Sequence, residues 1–255
     1  MQHVEGAMGM FLLAVIRYIP VVAIPPLSPM RWAPPLIRIV VVLSLAWLTV
    51  LASSPAAIPA DLSGPVAWTI AALSELAIGT AFGAAVAFPM AAVHTAGWVI
   101  DVQAGLGSAT LFDPGSQGDA QSPLGAALLL LATTLFFTMD LHLDLYAGLV
   151  VSAEVLPFAG SSVYLDASAF LSMVGSSFLL GLMVAAPTVL CLFAIDVGVA
   201  YATRSMPQAN VYFLALPLKV FVAMILTASS LGAMPAAFAR LFRDATSRVP
   251  SVLGM

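Results

Sequence analysis

The stretch DVGVAYATRSMPQANVYFLALPLK, residues 196–219, places Asp196, Arg204, Pro207 and Lys219 where two long apolar runs, 167–201 and 211–231, meet. Its surroundings give it weight. Only 8% of the 255 residues are charged and 62% are hydrophobic, and the mean hydropathy is +1.07. Soluble domains carry about a quarter charged residues, so this composition belongs to a chain that meets lipid. A charge in such a setting is expensive and needs a partner, water or a function. Asp196 and Arg204 are eight residues apart, about 12 Å of rise on a straight helix, so each is expected to pair across a helix or subunit boundary rather than with the other. Pro207 breaks the helix, and Gln208 and Asn210 follow where freed backbone groups need hydrogen bonds.

Outward from this island, apolar runs fall at 8–24, 36–52, 66–93 and 124–139, with a shorter one at 145–156. The length suits about six membrane-length helices. Pro25, Pro26, Pro34, Pro35, Pro55, Pro59 and the turn Asp113-Pro114-Gly115 separate the runs. The spans are uneven. Run 124–139 would reach about 24 Å as a helix against a hydrocarbon core of about 30 Å, whereas 66–93 and 167–201 exceed what a crossing needs. Basic residues do not settle a topology either. Six alternating spans with Arg31 and Arg38 inside would put Arg204 and Lys219 inside but Arg240, Arg243 and Arg248 outside. The expected fold is therefore all-α, built of hydrophobic helical hairpins with broken or re-entrant helices, as one membrane domain over 1–255. No cleavable signal is expected, since no basic segment precedes the first run and Arg17 interrupts it.

Glu75, Gly79, Gly83 and Ala87 repeat every four residues, as do Ser177, Gly181 and Ala185. Such rows let helix backbones approach closely in lipid. Glu75 must face a partner or water rather than lipid. Gly97, Asp101, Gln103, Gly105, Leu106 and Gly107 precede Phe112, Asp113, Pro114 and Gly115. A polar connection would explain the turn but not Asp101 and Gln103 among apolar neighbours, which points to function or assembly. The tail 235–250 sets Phe238, Leu241, Phe242, Ala245 and Val249 on one face and Arg240 and Arg243 on another, the pattern of an interfacial helix with basic residues at headgroups.

Other classes of function lack their residues. Eight Lys and Arg with no basic run exclude nucleic-acid binding. His94, His142 and Cys191 share no ligand spacing, so no metal is expected, and 140–144 reads as a cap or turn. No catalytic triad, paired acid–base carboxylates, phosphate loop or dinucleotide fingerprint is present, so neither catalytic residues nor cofactors are expected. Secondary transport of a small solute, with Glu75, Asp101 and Asp196 as coupling-ion sites, is the alternative, although the two similar halves common in transporters are missing.

Taken in order, these motifs resemble the FliR/SctT family of type III protein-export gates, over nearly the whole chain. Arg17 with Pro20, Pro25, Pro34 and Arg38 is similar to its N-terminal pattern, and Glu75-x3-Gly79-x3-Gly83 to its third-segment signature. Gly97-x3-Asp101-x-Gln103-x-Gly105-Leu106 with Asp113-Pro114 is its most recognisable stretch, and His142, Ser152 and Pro157 follow in the family's order. Arg204-x2-Pro207-Gln208-x-Asn210, with Lys219, resembles its C-terminal signature. Gly105-Leu106-Gly107 looks flagellar and Asp196 looks like the injectisome branch; the longer central match favours the flagellar one.

The resemblance implies a non-enzymatic subunit of a bacterial inner-membrane complex, in a flagellar basal body or injectisome base. It implies assembly with P-type and Q-type subunits, and with a B-type switch protein, into a helical gate for unfolded protein cargo, much of it above the bilayer plane. It also implies that about 106–122 is the loop plugging the pore.

Overall fold

The computed structural model describes residues 2–22, 29–52, 64–106, 122–159, 165–206 and 211–254, and the described part is helical with no strand. In chain order the helices are α1 (Gln2–Val22), α2 (Pro35–Ala52), α3 (Pro65–Ala104), α4 (Pro123–Thr138), α5 (Leu141–Val155), α6 (Ala167–Ser205), α7 (Val211–Ser230), α8 (Met234–Ser247) and the single turn α9 (Val249–Val252). Three helices open on proline: Pro35, Pro65 and Pro123. At a first helical position the missing N–H would have had no partner in any case, and the ring presets φ. Pro20, Pro89, Pro187 and Pro217 lie inside helices, where each removes one ladder hydrogen bond.

Among the described residues, four helical stretches are long and apolar enough to cross a membrane: α2, α3, α6 and Phe213–Ser230 of α7. Helices α4 and α5 form a pair bent by 65° that makes at most a fifth. At their break Asp140 takes a positive φ of 56°, so 139–140 is a turn with Asp140 at the N-cap position, whereas 141–144, expected as part of the cap or turn, already belong to α5. At 40 and 39 residues, α3 and α6 each run for about 60 Å, twice the hydrocarbon thickness. Broken and overlong helices are thus both present.

The chain divides into two compact units: Met1–Met90 with Phe136–Ser176 and Phe242–Met255, and Ala91–Leu135 with Ser177–Leu241. In the first, α1 packs on α2 through the Tyr18 hydroxyl, 2.7 Å from Thr49 Oγ1, and through the edge-to-face rings of Phe11 and Trp47. Glycines bring α1 onto α3. A Cβ on Gly79 would collide with the Arg17 carbonyl, and one on Gly83 would stand 2.8 Å from the Pro20 carbonyl oxygen. Asp166 starts α6 by accepting hydrogen bonds at Oδ1 from the Ser168 N–H and hydroxyl and from the Ala169 N–H. In the second unit a core of small and aliphatic residues gathers Ala96, Ile100 and Ala104 of α3 with Ala185 and Leu192 of α6 and Ala223 of α7. A Cβ on Gly181 would lie 2.8 Å from Ala92, so the row headed by Ser177 also marks a close helix approach.

The tail departs from its expected role. Phe238, Leu241, Phe242, Ala245 and Val249 are all buried inside the chain, and Phe242 meets Phe136 edge-on at 5.4 Å. Its apolar face is consumed by packing and does not lie open to a headgroup layer. An amphipathic pattern measures only the need to bury one face and is silent on what covers it.

Candidate functional site

Three polar contacts hang on α3, one at Glu75 near its start and two, at Asp101 and Gln103, in its last turn; the first two are buried and the third is part-buried. The first is an ion pair. Arg17 Nε of α1 donates to Glu75 Oε2 at 2.5 Å, with side-chain exposures of 0% and 2%. Both charges have left water, a cost that Coulomb attraction offsets only when the remaining donors and acceptors are also bonded. They are. Arg17 Nη1 donates to Ser152 Oγ at 3.1 Å and Nη2 to the Leu156 carbonyl at 3.0 Å. The guanidinium lies over the Phe158 ring, 4.6 Å from its centroid, a favourable cation–π placement. Glu75 Oε1 accepts the Ala159 N–H at 3.3 Å. Four segments (α1, α3, α5 and the turn after α5) meet at this one pair.

The second contact lies 26 residues further along α3. Asp101, fully buried, accepts at Oδ2 from the Ser122 hydroxyl (2.7 Å), the Leu124 N–H (2.9 Å) and the Gly125 N–H (3.3 Å). A carboxylate at a helix start satisfies free N–H groups and meets the positive end of the helix dipole. Here the cap of α4 is shared between Asp101 of a different helix and the local Ser122, whose Oγ also accepts the Gly125 N–H, at 3.1 Å. Gly97 makes room for it, since a Cβ there would stand 2.6 Å from Gly125 Cα. Gly105, at φ 83°, then ends α3: its N–H donates to the Val102 carbonyl and that of Leu106 to the Asp101 carbonyl at 2.9 Å. This left-handed closure is one that glycine makes without steric cost. Asp101 thus holds the residues on both sides of 107–121, through its carbonyl on one side and its carboxylate on the other.

The third contact bridges three helices. Asp196 of α6 accepts the Lys219 ammonium of α7 at 2.8 Å and the Gln103 amide of α3 at 2.8 Å. The Lys219 side chain is 9% exposed, that of Asp196 36%. Asp196 pairs on other helices and not with Arg204, as its spacing requires. Arg204 is exposed at the end of α6 and forms no ion pair among the described residues.

Arg38 sits apart from these contacts, bonding the Ala33 and Arg31 carbonyls at 3.0 and 2.5 Å and so folding the turn before α2. His142 is half-buried beside the Phe136 and Phe137 rings, with its Nδ1 buried and unpartnered. Gly107, Phe112, Asp113, Pro114 and Gly115, like Pro207, Gln208 and Asn210, lie outside the described residues. Among those described, no group of three His, Cys, Asp or Glu is placed to hold a metal ion. Sequence reasoning missed Phe158 and gave no role to Ser122. The signal for Ser122 was available: serine directly before a proline that opens an apolar run is a helix-start signature.

Residues 8–245 match the family model described as bacterial export proteins, family 1. The flagellar biosynthetic protein FliR of Escherichia coli is 35% identical over 160 residues, which are 62% of this chain and 60% of that protein. The FliR of Caulobacter vibrioides is 29% identical over 187 residues, 71% of this chain and 74% of the relative. The Yop proteins translocation protein T of Yersinia pestis is 30% identical over 157 residues, 60% of this chain and 59% of the relative.

Proposed function

Because this chain belongs to the bacterial export proteins, family 1, we propose that it is a non-enzymatic subunit of a type III protein-export apparatus in the bacterial inner membrane. The flagellar form is favoured, flagellar relatives standing beside the Yersinia translocation protein. In this reading all 255 residues act as one subunit. It joins P-type and Q-type subunits, and a B-type switch protein, around a path for unfolded protein, with 106–122 as the plug.

The observation that carries the reading is the surface of α6. Only 22% of its apolar 18-residue window is buried inside the chain, and Leu171, Leu182, Met183, Leu190, Phe193 and Tyr201 stand exposed along it. A helix of about 60 Å outruns the lipid that could cover it, so other apolar helices must cover part of it, and exposed Arg204 at its end supplies a directional contact for them. The transporter reading loses ground, since both oxygens of Glu75 are already bonded within the chain. The test is co-expression of Arg204→Ala and Gln208→Ala variants with P-type and Q-type subunits. Recovery of the intact complex on native gels should fall severalfold, and export with it, while the isolated chain keeps its helix content. Normal complex yield and normal export in both variants would overturn the assignment.

A further inference from the structure

In the first unit, α1, α2, α3, α5 and the end of α4 line a half-open, largely apolar pocket of about 340 Å³, whose wall includes Tyr18, Leu45, Val86, Phe137, His142, Tyr146 and Leu149. None of the three polar contacts on α3 reaches into it. An apolar cavity of about 150 Å³ already excludes water and takes up a benzene-sized guest. This one is more than twice that size, and water inside would need two to four polar partners. Left empty, its walls would forfeit dispersion contacts around the whole lining.

The neighbourhood specifies the guest. Leu45 and Val41 of the wall belong to α2, a candidate membrane span with only 17% of its residues buried. The same helix exposes Leu36, Ile39, Leu43, Trp47 and Leu51. One side of α2 is thus apolar and exposed, fit to face hydrocarbon, while the other borders the pocket, whose polar lining groups are the Tyr18 and Tyr146 hydroxyls and the His142 ring. At about 30 Å³ per water-sized group, the space takes roughly ten methylene-sized units, the dimension of one fatty-acyl tail and far less than an apolar helix.

We propose that this pocket binds a single acyl chain of a membrane lipid, inserted past α2 against α5. It is a statement about the chain in a bilayer and does not rest on the export reading. The test uses the full chain in vesicles of a phosphatidylcholine carrying a photoactivatable group midway along one acyl chain, with labelled peptides identified by mass spectrometry. Peptides bearing Tyr146 and Leu149, on the inner wall, should be labelled together with the outer face of α2. Val86→Phe, which fills the pocket from α3, should cut inner-wall labelling at least fivefold and leave labelling of Leu43 and Trp47 unchanged. Leu45→Phe fills it from the opposite wall and should do the same, so the outcome does not hang on one variant folding. Labelling confined to the outer face of α2, or inner-wall labelling indifferent to both fillings, overturns the proposal. So does a pocket in the wild-type chain that takes label only when partner subunits are absent at every lipid content, because the occupant would then be protein.

Discussion

Helices α3 and α6 differ by one residue in length, each contains one proline near its middle, and both are almost uniformly apolar. Their fates are opposite. In α3, 61% of an apolar 18-residue window is buried inside the chain, against 22% in α6. The difference lies in what interrupts the apolar residues. Along α3 the interruptions are glycines pressed against another backbone (Gly79, Gly83 and Gly97) and carboxylates bonded on arrival, Glu75 and Asp101. Along α6, Gly175 and Gly198 face nothing within 4 Å, only Gly181 meets a neighbour closely, and the one bonded carboxylate, Asp196, is 36% exposed. Small and charged residues organise a helix only where another chain segment comes close enough to use them; elsewhere they leave surface for lipid or a partner.

The largest break of that contrast comes from the ion pair. Glu75→Gln leaves the Arg17 guanidinium buried without its counter-charge, a change that costs about 3–5 kcal/mol when one partner of a buried pair is lost. Thermal unfolding of the purified chain in detergent, followed by helix content, should show the midpoint collapse. A variant as stable as the parent would remove the pair from its organising place. Next come paired glycine variants. Gly83→Val on α3 overpacks against the Pro20 carbonyl and should cost about 1–3 kcal/mol. Gly175→Ala on α6 should stabilise by roughly 0.5–1 kcal/mol, because a solvent- or lipid-facing helical glycine is worse than alanine. Equal effects of the two would erase the distinction between the helices.

Asp101→Ala should cost about 1–2 kcal/mol through loss of its share of the α4 cap, read as faster amide hydrogen exchange at Leu124, while Gly125 keeps its bond to Ser122. The smallest effect lies in α8. Arg248 bonds both oxygens of Asp244, and Ser176 bonds one, which holds the Asp244 carboxyl below its usual range. With its folded value depressed, the pair contributes stability above the ordinary carboxylate range and loses it as pH falls through the lowered value. Arg248→Ala should flatten that part of the acid-unfolding curve by a small amount, since both groups are partly exposed and surface pairs are weak.

Much of the fold was legible because hydropathy over long stretches reports helices directly. Runs 36–52, 124–139 and 211–231 lie within a residue of α2, α4 and α7. Run 66–93 stops eleven residues short of the end of α3 at Ala104, because His94, Asp101 and Gln103 lower the local hydropathy although their backbone remains helical. The rows headed by Glu75 and Ser177 marked real helix approaches, since small residues at four-residue spacing share a face. The tail misled for the opposite reason: an apolar stripe looks the same whether lipid or protein will cover it.

By itself, then, the sequence determined that this is an all-helical chain for an apolar environment, that its few charges need partners, and which family it joins. Those follow from composition, periodicity and ordered motifs, which are local or one-dimensional properties. Tertiary structure alone decided that Arg17 closes on Glu75 across 58 residues, that Asp101 joins the local Ser122 in capping α4, and that Asp196 chooses Lys219 and Gln103 over Arg204. A buried charge takes whichever complementary group the packing of helices delivers within about 3 Å, and that distance is set by contacts far apart in the chain.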